Sequence, residues 1–260
     1  MKLRNIIEQL NRDFPFSYAC EWDNVGLLVG DMDAEIKSIF LNLDVTDEAV
    51  AEASLVGADL ILTHHPLLFK PAKTVTEQDF IGRRIRRLIK NDINYVAMHT
   101  NFDIAKMADL NACDLQLIDP EILDITGEDA DGNPVGLGRV GGVREMALSA
   151  FADIVKNAMR LPAVRVYGDP DRIVKRCAVS SGSGRSEIPT AIAAGADVLV
   201  TGDIDYHTAI DANAQGLMLI DAGHYGTEFV YITFMEEYIK KTFPDLKVHA
   251  MKIRQPYCVL

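Results

Sequence analysis

Two adjacent histidines, His64 and His65, directly follow a short apolar segment and are the first candidates for chemistry. Neutral imidazole is the commonest metal ligand in proteins. Neighbouring side chains of an extended chain point in opposite directions, so both rings can serve one metal centre only where the chain turns. Pro66 favours an extended conformation at His65. The pair alone leaves two interpretations open: a metal site, or two histidines hydrogen-bonded near a turn.

Three further residues could complete a metal site. Asp103 follows the apolar segment 93–98, and His224 and Glu228 follow the apolar segment 217–220. Residues four apart lie on one face of a helix, so His224 and Glu228 could bind one divalent cation together. Plainer explanations also exist: Asp is favoured at helix N-caps, and His224 with Glu228 could be an ordinary surface pair.

Taken together, these side chains offer three imidazoles and two carboxylates. A set without thiolates argues against a structural cysteine-based zinc site. It suits Zn, Mn, Fe or Co at a site with open coordination positions. Five ligands are too many for one catalytic zinc, but they suit two ions about 3.5–4 Å apart. The sequence therefore predicts a dinuclear centre formed by His64, His65, Asp103, His224 and Glu228.

A near-exact repeat indicates the elements that position these residues. Segments 57–63 (GADLILT) and 195–201 (GADVLVT) match at an offset of 138 residues (195 − 57). In each half the pattern is strand, helix, strand, then another helix and strand, which is typical of parallel sheets with helices on their faces. Ligands gather outside the carboxyl ends of such strands. We therefore expect a duplicated α/β unit with chemistry at those ends.

The glycine-rich segment 126–142 predicts a loop and a domain boundary. The expected division is an α/β domain over 1–125 and a second over 126–260, intertwined so that the C-terminal segment can pack on the first. Alternating residues over 247–253 predict a final strand, and an amphipathic helix is expected over 1–11.

The composition of the chain disfavours some classes of binding partner. The chain has 260 residues, with 26 Lys+Arg against 38 Asp+Glu and a net charge of −12, which disfavours nucleic acid and anionic membranes. The one basic cluster, 83–90, fits a helix with a solvated basic face better than a nucleic-acid contact. Four dispersed cysteines and no long apolar segment favour a reduced, cytoplasmic protein.

Seven segments in order resemble one family along nearly the whole chain: EWDNVGLLVG at 21–30, THHP at 63–66, HTNFD at 99–103, GLGRVG at 136–141, SGSG at 181–184, TGDIDYH at 201–207 and GHYGTE at 223–228. The chain resembles the Nif-three-like family, whose bacterial members are called homologues of type 2 GTP cyclohydrolase I. The resemblance implies two intertwined α/β/α domains with mixed or mostly parallel sheets. It also implies two metals on the same five residues and a toroidal homohexamer.

The resemblance further implies a hydrolase that acts on GTP or a related heterocycle. A metal-activated water would attack C8 of guanine, and His99 or His207 would transfer the proton. A non-catalytic metal-binding, metal-delivery or scaffold protein is the alternative. His99 could instead be a hydrogen-bonded loop histidine, and Trp22 could either line the cleft or pack in the core.

The glycine-rich turn 182–184 could cradle a phosphate or could simply be a tight turn. Asp203, Asp205 and His207 could form another ion site, although helix capping and support of neighbouring ligands explain them better.

Overall fold

The computed structural model of the protein describes residues 1–252 and Tyr257. Its strands, in chain order, are β1 Gly26–Val29, β2 Ser38–Asn42, β3 Leu60–Thr63, β4 Asn94–Ala97, β5 Ile118–Glu128, β6 Pro134–Ala147, β7 Arg165–Tyr167, β8 Ile173–Ser183, β9 Val198–Gly202, β10 Met218–Asp221 and β11 Lys247–Ala250. Its helices are α1 Leu3–Asp13, α2 Asp47–Leu55, α3 Phe80–Lys90, α4 Thr100–Phe102, α5 Ala108–Asp114, α6 Leu148–Ala158, α7 Ile188–Ala193, α8 Tyr206–Ala214, α9 His224–Glu228 and α10 Val230–Thr242. A 3₁₀ turn spans Phe16–Tyr18, and a π-helical turn, Asp103–Met107, joins α4 to α5.

The described chain divides into two units, each with its own sheet. The first unit comprises Met1–Ala105 and 231–252, and the second comprises Lys106–Val230 and Tyr257. The second unit is thus inserted between two chain segments of the first. The predicted division at residues 125 and 126 falls inside β5 of the second unit.

The first unit has a five-stranded mixed sheet in the order β1-β4-β3-β2-β11. Four strands are parallel, and β1 pairs antiparallel with β4 at the edge. Every residue of β2, β3 and β4 is buried, as expected for central strands covered on both faces. Phe40, Ile61 and Tyr95 belong to the core of this unit, together with apolar residues of α2 and α3.

The second unit has a six-stranded mixed sheet in the order β5-β6-β8-β9-β10-β7. Strands β8, β9 and β10 are parallel, whereas β5, β6 and β7 join by antiparallel pairing. The predicted α/β class with mixed sheets is therefore confirmed.

The prediction of a loop over 126–142 is wrong. Most of this segment belongs to the antiparallel hairpin of β5 and β6, and only the tip between them turns. Glycine is needed here because the strands approach closely: a Cβ at Gly136 would collide with the carbonyl of Asp124. Glycine in a strand can mark such a close approach, and here it does not mark a boundary.

The repeated segments make equivalent hydrogen bonds. The Asp59 carboxylate accepts from the backbone N–H groups of residues 37 and 38, at 2.7 and 2.9 Å. The Asp197 carboxylate accepts from those of residues 175 and 176, at 2.8 and 3.0 Å. All three positions of each motif are offset by the same 138 residues. These bonds support the duplication, which stays a prediction.

Several local predictions are confirmed. The N-terminal amphipathic helix is α1, and the final strand is β11, which ends at Ala250; residue 253 of the predicted strand lies outside the described residues. The basic cluster lies on α3, where Arg83, Arg84 and Arg87 form ion pairs with Asp47. No helix within the described chain is long and apolar enough to cross a membrane.

Candidate metal-binding residues

His64 and His65 follow β3 at its carboxyl end, and their rings lie close together. The ring centroids are 5.0 Å apart, which shows that the chain turns here. The turn is fixed at the His65 carbonyl, which accepts hydrogen bonds of 2.8 Å from the hydroxyls of Thr63 and Tyr95. Burial raises the pKa of Tyr95, so that its hydroxyl stays protonated.

Both histidines direct Nδ1 to an oxygen acceptor. The Nδ1–H of His64 donates to the Met98 carbonyl at 2.8 Å, and the Nδ1–H of His65 donates to Asp44 at 3.0 Å. These partners assign the proton to Nδ1 and make Nε2 the acceptor nitrogen of each ring. Metal-binding histidines are held in the same way, with the second nitrogen on a carboxylate or carbonyl.

Asp103 follows β4, the parallel neighbour of β3, so the carboxyl ends of the two strands bring it near His64. Asp103 Oδ1 lies 3.6 Å from His64 Nε2. The alternative that Asp103 is a helix N-cap is wrong, since α4 begins at Thr100 and Asp103 opens the π-helical turn that continues it. Such turns occur frequently at functional sites.

His99 joins His64 and His65 in a group that could hold a metal ion. One ligand nitrogen of each ring lies within 4.8 Å of the others. The Nδ1–H of His99 donates to Asp23 at 2.8 Å, and Thr100 donates to the same carboxylate through its N–H and hydroxyl. Burial of Asp23 would raise the pKa of its carboxyl, but the bonds from His99 and Thr100 lower that pKa to about 2.

In the second unit, His224 and Glu228 lie on one face of α9, as predicted. His224 Nε2 is 3.1 Å from Glu228 Oε1, and the His224 Nδ1–H donates to Asp203 at 2.8 Å. Glu228 is buried, with 3% of its surface exposed. His224 therefore shares with His65 an Nδ1–H that donates to a carboxylate, and the Nε2 of His224 faces Glu228.

The glycine turn 182–184 makes room for Glu228. Gly182 has φ +63°, and a Cβ at this position would lie 2.6 Å from Glu228 Oε1. The N–H groups of Gly182 and Gly184 donate to the hydroxyls of Thr227 and Thr201, both at 2.8 Å. Because these amides already have acceptors, the structure favours the tight turn over the phosphate cradle.

The remaining candidates around β9 have separate roles. Asp203 holds His224, and Asp205 caps α8 by accepting from Thr208 N at 3.0 Å. These contacts agree with the expectation that such residues support a neighbouring ligand or cap a helix. His207 is exposed on α8, and its ring lies 5.3 Å from that of Tyr206. Among the described residues, His207 belongs to no group of side chains that could hold a metal ion.

Two functional residues escape sequence reasoning: Asp23 and Asp44, which each accept from the Nδ1–H of a histidine. Asp23 lies 76 positions from His99 in the chain, and Asp44 lies 21 positions from His65. Only the family motif at 21–30 contains a signal for one of them, Asp23.

Fold and side chains together define an α/β protein whose parallel strands end in imidazole and carboxylate groups able to hold a metal ion. The Duf34/NIF3 (NGG1p interacting factor 3) family model matches residues 1–256, and the chain belongs to this family. A Clostridium perfringens relative named GTP cyclohydrolase 1 type 2 homolog is 36% identical over 242 residues, covering 93% of this chain and 92% of its own.

Solved structures of other proteins match the fold of this chain over nearly its full length. A Bacillus cereus protein related to NIF3 has a TM-score of 0.91 at 26% identity, and the match covers 100% of this chain and 99% of that one. Reduced HcgD from Methanocaldococcus jannaschii has a TM-score of 0.84 at 33% identity, and covers 97% and 98%. These matches confirm both the fold and the family expected from the motifs.

Proposed function

We propose that this protein binds two divalent metal ions through His64, His65, Asp103, His224 and Glu228 and uses them to hydrolyse a nucleotide or a related heterocycle. The observation that carries the proposal is that the rings of His64, His65 and His224 are all held by a hydrogen bond from Nδ1–H. In each, Nδ1–H donates to an oxygen, and the Nε2 atoms of His64 and His224 face the carboxylates of Asp103 and Glu228. Plain surface histidines have no reason to share this arrangement.

The donor set fits such ions. Imidazole nitrogens and carboxylate oxygens suit Zn, Mn, Fe or Co, and none of the candidates is a thiolate. When bound, such a metal lowers the pKa of a coordinated water toward about 7 and so supplies a nucleophile near neutral pH. The names of the relatives, GTP cyclohydrolase 1 type 2 homolog, support GTP as the first substrate to test.

His99 is the better placed of the two candidates for proton transfer. Asp23 fixes its ring, and the ring lies beside those of His64 and His65, with centroids 5.1 and 5.6 Å away. We propose that His99 moves a proton during hydrolysis, with exposed His207 as the alternative. Turnover should then fall in His99→Gln and persist in His207→Gln, while both variants keep two ions per chain. Loss of metal in His99→Gln would instead make His99 a ligand, together with His64 and His65.

The test of the metal site is metal analysis of protein purified without chelator. We expect two ions per chain in the wild type. If the five residues serve one dinuclear centre, His65→Ala and Glu228→Ala should each weaken the binding of both ions and abolish turnover of GTP. His249→Asn is the matched control and should keep both ions, because His249 is the only one of the six histidines that is a candidate neither for metal binding nor for proton transfer.

Other outcomes would contradict parts of the proposal. Loss of only one ion in each variant would mean separate sites, and wild-type protein without metal would reject the centre altogether. A metal-replete protein that converts no nucleotide across a broad panel would favour a non-catalytic metal-binding or delivery protein. The expected homohexamer and cytoplasmic location stay predictions.

A further inference from the structure

Two large aromatic side chains of the first unit, Trp22 and Phe69, lie together at the surface. Their exposed fractions are 58% and 50%, and their ring centroids are 5.6 Å apart. Trp22 therefore does not pack in the core. The ring planes are tilted by 41°, and both rings leave apolar area in water, a feature that marks binding sites on protein surfaces.

Hydrogen bonds hold the two aromatic residues in place. Asn24 Nδ2 donates to the Leu68 carbonyl at 2.6 Å and so ties the segment of Trp22 to that of Phe69. Asp23, next to Trp22, accepts from His99 and Thr100. The aromatic pair is therefore arranged before any ligand binds, which lowers the entropy lost on binding.

The pair borders the histidines of the proposed metal site. The ring of His99 lies 5.9 Å from that of Trp22 and 6.0 Å from that of Phe69. The His99 ring also lies 5.1 Å from that of His64. A planar ring that covers Trp22 and Phe69 would therefore be within reach of His99.

A cationic cavity adjoins the aromatic pair. Phe69 also lines an open cavity of about 420 Å³, together with Lys70 and Lys73. Asp79 is the acidic residue of this lining, and its carboxylate caps α3 by accepting from Gly82 N at 2.8 Å. On a chain of net charge −12, two lysines beside an exposed aromatic pair form a local site for an anion.

We propose that the ring of a planar heteroaromatic anion packs against Trp22 and Phe69, stacking on one of these two tilted rings, and that Lys70 and Lys73 bind its phosphate groups. Aromatic side chains bind nucleobases in this way, because every base offers a π-face. The inference rests on the proposed function, since it names phosphorylated heterocycles as the substrate class of that same site. It also explains how an acidic protein can attract a nucleotide.

The chain reports on this site directly, because Trp22 is its only tryptophan. We would titrate metal-loaded protein with GTP, guanosine and inorganic triphosphate and follow Trp22 fluorescence, with free N-acetyltryptophanamide as the correction for absorbed light. GTP and guanosine should both change the emission, and GTP should bind about tenfold more tightly or better because it also carries the anion. Inorganic triphosphate alone should leave the emission unchanged.

Variants measure separately how much the aromatic ring and the phosphate groups of the ligand contribute to binding. Phe69→Ala keeps the reporter and should weaken guanosine and GTP binding about tenfold. Its matched control is Phe80→Ala, which removes another exposed phenylalanine, 53% exposed, outside the pair. Lys70→Gln with Lys73→Gln should lower the affinity for GTP and leave that for guanosine unchanged, whereas Lys240→Gln with Lys241→Gln should change neither. Phe69→Leu repeats the ring test if Phe69→Ala does not fold.

The outcomes distinguish this inference from the proposed function. Emission unchanged by GTP and guanosine in metal-loaded protein, or equal affinities in Phe69→Ala and wild type, would overturn the stacking site while leaving the metal site intact. Conversely, wild-type protein that holds no metal would reject the proposed function. A response to guanosine that is lost in Phe69→Ala would still support the stacking site in that case.

Discussion

At the scale of single residues, carboxylates set the state of the histidines. Asp44, Asp23 and Asp203 each accept the Nδ1–H of one histidine, and the Met98 carbonyl does so for His64. Each bond fixes one tautomer and one ring orientation, which keeps Nε2 available for chemistry. The side chains predicted from sequence thus depend on partners of which the sequence alone indicated only Asp203.

Asp23→Asn tests one of these partners through stability. The pKa of Asp23 is about 2 in the folded protein against 3.8 for an ordinary Asp. Because the pKa is lower in the folded state, the ionised carboxylate stabilises the folded protein at pH values above the unfolded-state pKa. This contribution is about 2 kcal/mol at pH 7 and is lost as the pH falls from about 4 to 2. We expect Asp23→Asn to lower the free energy of unfolding by about that amount at pH 7, as measured by urea denaturation.

The pH dependence provides the check on this assignment. At pH 3 the difference between Asp23→Asn and wild type should shrink to roughly half of its value at pH 7, because the unfolded carboxyl is then mostly protonated. Asp153→Asn, at an exposed carboxylate that pairs with Lys156, is the control and should change little at either pH. A difference that stays constant from pH 7 to pH 3 would contradict the role given to Asp23.

At the scale of elements, the ends of parallel strands and the turns that follow them position the candidate ligands. His64 and His65 follow β3, Asp103 follows β4, and α9 begins shortly after β10. The turn at Gly182, where β8 approaches its end, completes the arrangement around Glu228, since any Cβ there would displace the carboxylate. Backbone conformation thus sets the position of a candidate metal ligand.

Gly182→Ala tests this arrangement. The substitution places a Cβ at φ +63° and 2.6 Å from Glu228 Oε1. We expect a loss of about 1 kcal/mol of stability from the left-handed backbone, and about tenfold weaker metal binding from the displaced carboxylate. Calorimetric titration with Zn²⁺ or Mn²⁺ measures the second effect.

The matched control for Gly182→Ala is Gly195→Ala. Gly195 has φ +71°, but no atom of the described chain lies within 4 Å of the point where its Cβ would stand, so the variant has the same backbone strain without the collision. It should lose similar stability and keep its metal affinity. Equal metal affinities in the two variants would show that Gly182 has no part in positioning Glu228.

At the scale of the whole molecule, charge and chain connectivity matter most. A net charge of −12 gives little general attraction for an anionic nucleotide, so under our proposals the local positive charge comes from the metal ions and from Lys70 and Lys73. The first unit is also formed by two separate chain segments, with residues 106–230 of the second unit between them. The candidate ligands of both units therefore belong to one continuous polypeptide.

Removal of metal should therefore lower the stability of the protein. A ligand at a free concentration one hundred times its Kd stabilises the folded state by about 2.7 kcal/mol. For a chain of this length we expect EDTA to lower Tm by roughly 5–10 °C, and excess Zn²⁺ or Mn²⁺ to restore it. Differential scanning calorimetry measures both changes.

His65→Ala and Glu228→Ala provide the comparison for the chelator experiment. Both variants should show a lowered Tm that EDTA no longer changes, while His249→Asn should respond to EDTA like the wild type. A wild-type Tm that is insensitive to both chelator and added metal would contradict a structural contribution of the proposed ions.

The sequence by itself determined the class of fold and the chemistry of the candidate ligands. Apolar runs, small-residue helices and the repeat at 57–63 and 195–201 predict strand–helix–strand units, because hydrophobic periodicity is a local property. Imidazole and carboxylate are likewise properties of residue type, so His64, His65 and Glu228 could be chosen from the chain alone.

Only the tertiary structure decided how these groups are supported and what lies beside them. The glycines of 126–142 belong to a hairpin, because the close approach of β5 to β6 depends on pairing between strands. Asp23 meets His99 across 76 positions, and Trp22 meets Phe69 at the surface. These are contacts between residues distant in the chain, and local sequence patterns do not encode which distant side chains will meet.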